Sequence, residues 1–253
     1  MTRKRLFLTT VVSLLAILVT LSLPASAATS DDARKMLADA SKLIGRGDQT
    51  AALTKIEAVT TIAPQWPAAY ATLGTLYQRI GQQDLALESF TRFQHNSLLN
   101  AGAEDGRLTR EIAEGEALMI LLVNEERAKR DVPALVPDEE LSAISRRHSQ
   151  EMCEMNYFAH ESPTRSLRTP SDRFKAHFGF DPLCLGENLA RMSSRPLWSY
   201  NMDNLRDSHQ RLMESDGHRK AILWEIPRSI GVGIAVNDSG DYWVTENFAI
   251  LGR

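Results

Sequence analysis

The sequence predicts an α+β domain that follows a small all-α region built from helical repeats. Residues 31–100 repeat at an offset of 34 and keep a helical pattern throughout, which is typical of stacked helix pairs. Residues 113–253 begin with helical periodicity and finish with a strand–turn–strand pattern. Helices followed by an antiparallel hairpin favour a domain in which the helices cover a sheet.

The first 27 residues have the pattern of a secretory signal peptide. Residues 3–5 are basic, residues 6–23 are apolar apart from Thr and Ser, and Ala25-Ser26-Ala27 supplies the small-x-small pattern of a cleavage site. We expect cleavage after Ala27, and the alternative is an uncleaved helix that anchors the chain in the membrane. Both alternatives export residues 28–253, to a bacterial periplasm or beyond the cell.

Composition and charge limit the classes of partner. The chain of 253 residues is 43% hydrophobic and 24% charged, which is ordinary for a folded protein of one or two domains. It carries 29 basic and 32 acidic residues without a basic block. We therefore expect no nucleic-acid partner.

Cys153 and Cys184 are the two cysteines of the chain. An even count in an oxidising compartment predicts a disulfide between them. That bridge would join a helix to the loop before Gly186. The alternative is a pair of separate, buried thiols.

Residues 31–100 contain two equivalent units, 33–66 and 67–100. The equivalent pairs are Leu43 with Tyr77, Gly47 with Gly81, Ala52 with Ala86, and Ile56 with Phe90. With this spacing the units resemble tetratricopeptide repeats, in which the small residues Gly74 and Ala86 would let paired helices approach closely. Two such units bury little surface, so a helix around 107–130 is expected to cover them. The repeats would form either a peptide-binding groove or a helical support for the next domain.

The predicted boundary between the two regions is a small, polar linker at 101–112, and the second domain covers 113–253. Residues 114–131 predict its first helix. Asp138 predicts the cap of another helix, which runs to about Met155. Alternating apolar residues on both sides of 237–240 predict a β-hairpin.

Five histidines lie in the second domain, and their surroundings differ. His148 falls on the apolar stripe of a predicted helix, which favours a buried core histidine. His177 and His209 have no partner visible in the sequence, so we predict that both are surface residues.

His160 and His218 are the candidate site histidines. His160 follows two aromatic residues and precedes a Ser-Pro turn, whereas His218 directly follows a glycine. Gly186 and Gly217 would allow tight turns that direct the next side chain, Glu187 or His218, into a cleft. Two imidazoles and a carboxylate that converge suit either Zn²⁺ with an open coordination position or acid–base chemistry.

Short motifs across residues 115–249 occur in an order found in a known family. They include YFAHESP (157–163), DRF (172–174), GENLA (186–190), SDGHRKAIL (215–223), GVGIA (231–235) and YWVTENF (242–248). In this order they resemble the CAP superfamily of cysteine-rich secretory proteins, antigen 5 and pathogenesis-related 1, and within it the bacterial SCP-domain branch. The resemblance implies an α-β-α sandwich with a cleft lined by two histidines and two glutamates.

The resemblance carries three of the four cleft residues onto His160, Glu187 and His218. The fourth position departs from the family pattern. Leu212 takes the place of a tryptophan, and Ser215 stands where the second glutamate would lie. Glu214 is one residue away and could substitute, and the alternative for it is a solvated carboxylate at a helix end.

The resemblance also gives structural roles to three neighbours of the cleft. Arg173 is expected in an ion pair and Trp243 in the core of the sheet. Asn188 is expected to orient the loop of Glu187.

Three kinds of function follow from the resemblance. The first is an exported binding protein whose cleft takes Zn²⁺, another divalent metal, a lipid or a small ligand, while the repeats take a protein or peptide partner. The second is a zinc-dependent, protease-like hydrolase in which His160, Glu187 and His218 hold the metal. The third is a non-catalytic envelope scaffold in which the repeats do the binding.

Overall fold

A computed structural model describes residues 30–193 and 199–251, so the predicted signal peptide lies outside the described residues. The helices are α1 (Ser30–Gly45), α2 (Gln49–Ile62), α3 (Pro67–Arg79), α4 (Gln83–Asn100), α5 (Arg107–Ala128), α6 (Glu139–Glu154), α7 (Pro170–Phe178), α8 (Met202–Glu214) and α9 (Asp216–Ile222). The strands are β1 (Val136–Pro137), β2 (Leu185–Met192), β3 (Ser229–Val236) and β4 (Tyr242–Ala249). Within the described ranges, none of the helices combines the length and the apolar character that a bilayer span requires.

Helices α1 to α4 form two pairs that end their first helix in the same way. Gly47 and Gly81 both have a φ of 80°, and the amide after each glycine bonds to a carbonyl five residues earlier. The offset of 34 residues is thus visible as a repeated helix end. Between α3 and α4, a Cβ atom at Gly74 would lie 2.5 Å from the ring of Phe90. The close approach expected at Gly74 is therefore present.

Helix α5 is shared between the helical pairs and the second domain. It packs against α4 on one side and against α8 and β3 on the other. One core cluster contains Phe90 of α4, Ile120 of α5 and Val232 of β3. The helix begins at Arg107, inside the linker predicted at 101–112. The helical pairs are therefore docked on the second domain by α5, which supplies the cover they lack.

A buried polar contact ties three helices together beside this core. Arg146 of α6 donates from Nη2 to Oε2 of Glu116 on α5 at 2.7 Å and also to the side chain of Gln94 on α4. Glu116 accepts a further hydrogen bond, from the backbone amide of Ile234 on β3. Because the side chain of Glu116 is fully buried, Arg146 supplies the cation that it needs.

The sheet has the order β1-β3-β4-β2, with β1 parallel to β3 and the other pairs antiparallel. Helices α5, α8 and α9 pack on one face, and α6 and α7 pack on the other. The predicted hairpin is formed by β3 and β4, and the predicted α-β-α sandwich is confirmed. A Cβ atom at Gly233 would lie 2.1 Å from the backbone nitrogen of Arg146. Glycine thus lets α6 lie directly on the backbone of β3.

Candidate functional site

Strand β2 lies at one edge of the sheet, and its side chains contribute to the site from both faces of the sheet. Successive side chains of a strand point to opposite faces. Glu187 therefore points toward α7, where Arg173 lies, whereas Asn188 points toward α9 and contacts His218. The site consequently extends around the edge of the sheet, with one histidine supplied from each layer.

Glu187 is the central buried residue of the site. Its Oε1 accepts a hydrogen bond from Nδ1 of His160 at 2.9 Å, and its Oε2 accepts one from Nη2 of Arg173 at 2.7 Å. The side chains of Glu187 and Arg173 are 2% and 5% exposed, whereas that of His160 is 52% exposed. Since the carboxylate accepts at Nδ1, the lone pair of His160 is on Nε2, which stays available for a ligand.

Three backbone carbonyl groups of the loop that carries His160 accept hydrogen bonds from side chains of the domain. Nε1 of Trp243 donates to the carbonyl of Tyr157 at 3.0 Å. Nε2 of His148 donates to the carbonyl of Ala159 at 3.1 Å, and Nη1 of Arg173 donates to the carbonyl of His160 at 3.0 Å. The predicted core positions of His148 and Trp243 are correct, since both are 1% exposed. The hydrogen bonds from their ring nitrogens also fix the position of the His160 loop.

Glu151 of α6 also holds the loop that carries His160. It accepts hydrogen bonds from the hydroxyls of Tyr157, Ser162 and Thr164 at 2.6 to 2.8 Å. Burial raises the pKa of Glu151, but the bonds from these hydroxyls outweigh burial and leave its pKa below the ordinary value. A charged carboxylate thus anchors the loop on both sides of His160.

His218 comes from α9 and is held through backbone contacts. Nδ2 of Asn188 donates to the carbonyl of His218 at 3.2 Å. The buried guanidinium of Arg127 donates to the carbonyls of Ile222 and Trp224 at the end of α9. Burial lowers the pKa of His218, and the nearby charge of His160 lowers it further.

A second buried glutamate lies behind His218. Glu246 of β4 is opposite Asn188 of β2 in the sheet and accepts a hydrogen bond from its Nδ2 at 3.2 Å. Burial raises the pKa of Glu246 to about 7. Its Oε1 is buried without a hydrogen-bond partner in the described ranges.

Other sequence predictions for the cleft differ from the structure. Gly186 lies within β2 and Gly217 within α9, and neither has a positive φ. The predicted tight turns are wrong, because regular elements direct Glu187 and His218. Glu214 is exposed at the end of α8 and accepts a hydrogen bond from Gln210. This arrangement matches the alternative of a solvated carboxylate at a helix end.

Asn188 and two histidines also have different roles from those predicted. Asn188 contacts His218 and a buried carboxylate on β4, so it does not orient Glu187. His177 contacts Glu140 and Arg147, although the sequence offered it no partner. His209 is 5% exposed and not a surface residue, since α8 packs it toward α5.

The predicted Cys153–Cys184 disulfide is absent, and both residues are free cysteines. Cys153 packs against the cluster of Met152, Leu189 and Trp243, whereas Cys184 directly precedes the first residue of β2. Leu189 follows Cys184 by five residues along the strand, which is roughly 16 Å at about 3.3 Å per residue. The Cα atoms of a disulfide lie within about 7 Å of each other.

The contacts of Glu187 disfavour it as a metal ligand, which leaves His160 and His218 as the candidate donors of the cleft. Both oxygens of Glu187 are engaged, one of them by a guanidinium. In residues 30–193 and 199–251, no group of three or more His, Cys, Asp and Glu is placed to hold a metal ion. His160 presents Nε2, and Nδ1 of His218 is buried without a hydrogen-bond partner among the described residues. A carboxylate that accepts from the second nitrogen of a ligating histidine is the usual outer support of a zinc site.

Three residues that build the site were missed by reading the sequence. Arg127 and Glu151 lie on helices as ordinary charged residues, and their partners are distant in sequence. Glu246 carried a usable signal, because it is the one charged residue of the predicted strand YWVTENF, and charged side chains are seldom buried unless they are paired.

Comparisons with known proteins place the second domain in a family. The family model described as "CAP: Cysteine-rich secretory protein family" matches residues 120–248, about half of the chain. The uncharacterized protein YkwD of Bacillus subtilis (strain 168) is 34% identical over 131 residues, which are 52% of this chain and 46% of that protein. The chain therefore spans less than half the length of this relative.

Solved structures give weaker likenesses. An extracellular protein containing a SCP domain from Bacillus anthracis str. Ames has a TM-score of 0.40 and 23% identity, and the match covers 65% of this chain and 43% of that chain. An outer surface protein from Borrelia burgdorferi has a TM-score of 0.45 and 17% identity, and the match covers 54% of this chain and 92% of that chain.

Proposed function

The chain belongs to the cysteine-rich secretory protein (CAP) family, and we propose that it is an exported binding protein whose cleft takes a divalent transition-metal ion through His160 and His218. The observation that carries this proposal is the contact between Glu187 and Nδ1 of His160 at 2.9 Å. It fixes the tautomer and the direction of the imidazole, so Nε2 is oriented as a ligand.

Two protein ligands make a weaker site than the three of a catalytic zinc centre. The hydrolase alternative needs Glu187 as the third ligand, and this carboxylate already serves His160 and Arg173. Binding without turnover is therefore the better supported function. When bound, the metal would supply positive charge and open coordination positions for an anionic or polar ligand.

Titration calorimetry of Zn²⁺ into the full chain tests this proposal. We expect binding to the parent that is lost in both His160→Ala and His218→Ala. Glu187→Gln should weaken binding roughly 10- to 100-fold, as for other outer-sphere partners. His177→Ala is the matched control, because His177 contacts Glu140 away from the cleft and should leave binding unchanged.

Two results would change the conclusion. Equal binding by the parent and both alanine variants would remove the metal site. Zinc-dependent hydrolysis of a peptide or ester that disappears in the same variants would favour the hydrolase.

Export rests on the pattern of residues 1–27, which carry a basic start, an apolar run and a small-x-small site. Mass spectrometry of the protein recovered from the periplasm or medium should give an N-terminus at Ala28. An N-terminus at residue 1 or 2 in a membrane fraction would favour the anchored alternative.

The helical pairs would supply a second binding surface for a protein or peptide. A groove of about 350 Å³ lies between them, and its walls include Tyr70, Leu73 and Leu85. A photo-crosslinking residue in place of Leu85, inside this groove, should capture a partner in cells. The same residue in place of Arg46, outside the groove, should capture nothing if the groove is the binding surface.

A further inference from the structure

A cavity of about 170 Å³ lies between α6 and α7, and its lining includes Arg173 of the His160 site but neither His160 nor Glu187. Ile144, Leu167 and Ala176 supply an apolar lining, and Arg147 and Arg173 supply positive charge. An apolar cavity of about 150 Å³ is large enough to hold benzene. The size therefore fits a ligand no larger than a single ring or a short chain.

Arg147 gives this cavity an available cation. Its guanidinium contacts Nδ1 of His177 at 3.4 Å, which is a long hydrogen bond, and the ion pairs of the described residues do not include it. His177 in turn contacts the carboxylate of Glu140 through Nε2. Nδ1 of His177 is consequently the acceptor for Arg147. Among residues 30–193 and 199–251 the other N–H groups of Arg147 have no acceptor, so they can bind an anion.

The deep side of the cavity has polar atoms that the protein does not satisfy. Nε of Arg173 is buried and has no hydrogen-bond partner in the described parts of the chain. Nδ1 of His148 also lacks a hydrogen bond there and faces Oε2 of Glu151 at 3.7 Å. Both Arg173 and His148 line the cavity, and their side chains are 5% and 0% exposed. Buried polar groups of this kind normally have a protein, water or ligand partner.

Glu151 limits the charge of the ligand. It also lines the cavity, but its oxygens already accept from the hydroxyls of Tyr157, Ser162 and Thr164. It therefore remains a negative charge inside the lining, and it would repel a dianion such as phosphate more than a monoanion.

We propose that this cavity binds a small monoanion with an apolar body, namely an aryl or short-chain carboxylate. The carboxylate contacts Arg147 at the mouth, and the apolar body lies among Ile144, Leu167 and Ala176. The site does not depend on the metal proposed for the cleft, and a bound ligand would contact Arg173, which holds Glu187 on its other side.

Benzoate is the probe, and benzamide is the matched neutral probe of the same shape. In calorimetric titration of the full chain we expect benzoate to bind with a Kd on the order of 1 mM and benzamide roughly tenfold more weakly. Arg147→Gln removes the cation at an exposed position and should weaken benzoate roughly tenfold. Ala176→Trp fills the cavity from α7 and should abolish binding.

Two control variants locate the site. Arg165→Gln removes an exposed arginine that does not line the cavity, and His160→Ala removes the cleft histidine, so both should bind benzoate like the parent. Benzoate binding that is unaffected by Arg147→Gln and Ala176→Trp would overturn the proposal, and so would equal affinity for benzoate and benzamide. Loss of benzoate binding in His160→Ala would assign the anion to the cleft instead.

Discussion

The Nδ1 atom of His160 lies 2.9 Å from Oε1 of Glu187, so a buried strand residue orients an exposed loop residue. The other carboxylate oxygen binds Arg173, which is almost as buried as Glu187. Glu187 thus orients a residue of the site and also forms a buried ion pair inside the domain. Changes that disturb its charge balance should affect stability as well as binding.

Arg173→Met should lower the free energy of unfolding by about 3–5 kcal/mol, because it leaves Glu187 as a buried carboxylate without its cation. Urea denaturation at pH 7 measures the change. Arg168→Met is the control, since Arg168 pairs with Glu161 on the surface, where both side chains are more than 60% exposed. That exposed pair should contribute little to stability, so its loss should hardly change the free energy of unfolding. Equal losses in the two variants would contradict the buried ion pair.

The fold could be predicted because its signals are local or lie in continuous motifs. The repeat offset places Gly47 and Gly81 at equivalent helix ends, and the alternation on both sides of 237–240 gives the hairpin. His160 and Glu187 could be named from their motifs. Their contact could not, because it depends on how the His160 loop lies against the edge strand.

The wrong predictions concern residues whose neighbours in the structure are distant in sequence. His209 follows Leu205 by four residues and precedes Leu212 by three, so it lies on the buried face of α8. That spacing was a usable signal for burial. The disulfide prediction failed for a different reason, because compartment and cysteine count say nothing about the distance between Cys153 and Cys184.

His209 should make the protein less stable in acid. Burial lowers the pKa of His209 to about 4, whereas an unfolded histidine has a pKa of about 6.5. The unfolded state therefore binds the proton first as the pH falls. Between pH 6.5 and 4 this residue should reduce the free energy of unfolding by up to about 3 kcal/mol.

His209→Leu should remove that part of the acid sensitivity and be at least as stable as the parent at pH 7. Both ring nitrogens of His209 lack hydrogen-bond partners in the described ranges, so leucine costs no such bond there. Thermal denaturation from pH 4 to 8 tests this. His95→Gln, at a histidine paired with Asp105 near the surface, is the control and should retain the acid sensitivity of the parent.

Glu246 should have the opposite pH dependence. Burial raises the pKa of Glu246 to about 7, above the pKa of about 4.3 for an unfolded glutamate. Its stability contribution is complete below the unfolded value and is lost as the pH rises through 7. Glu246→Gln should therefore gain up to about 3 kcal/mol over the parent at pH 9 and little at pH 5. A constant difference between the two proteins from pH 5 to 9 would show that Glu246 does not titrate in this range.

The helical pairs and the CAP domain should unfold in one transition. Phe90 of α4 belongs to the same core cluster as Val232 of β3, and Arg146 contacts both Gln94 and Glu116 across three helices. Unfolding curves from far-ultraviolet circular dichroism and from tryptophan fluorescence should therefore coincide. Two separated transitions would mean that α5 does not couple the regions.

The contact of α6 with β3 should be sensitive to a single methyl group. Gly233→Ala would place a Cβ atom 2.1 Å from the backbone nitrogen of Arg146, where no flexible side chain can move aside. The cost should be about 1–3 kcal/mol or more, as in other overpacked cores.

Gly217→Ala is the matched control, because nothing lies within 4 Å of a Cβ atom there and the residue is helical. That variant should be roughly 0.5–1 kcal/mol more stable than the parent, since alanine favours the helix. Urea denaturation of the two variants should therefore give changes of opposite sign, and a loss of stability in Gly217→Ala as large as that in Gly233→Ala would contradict the backbone contact.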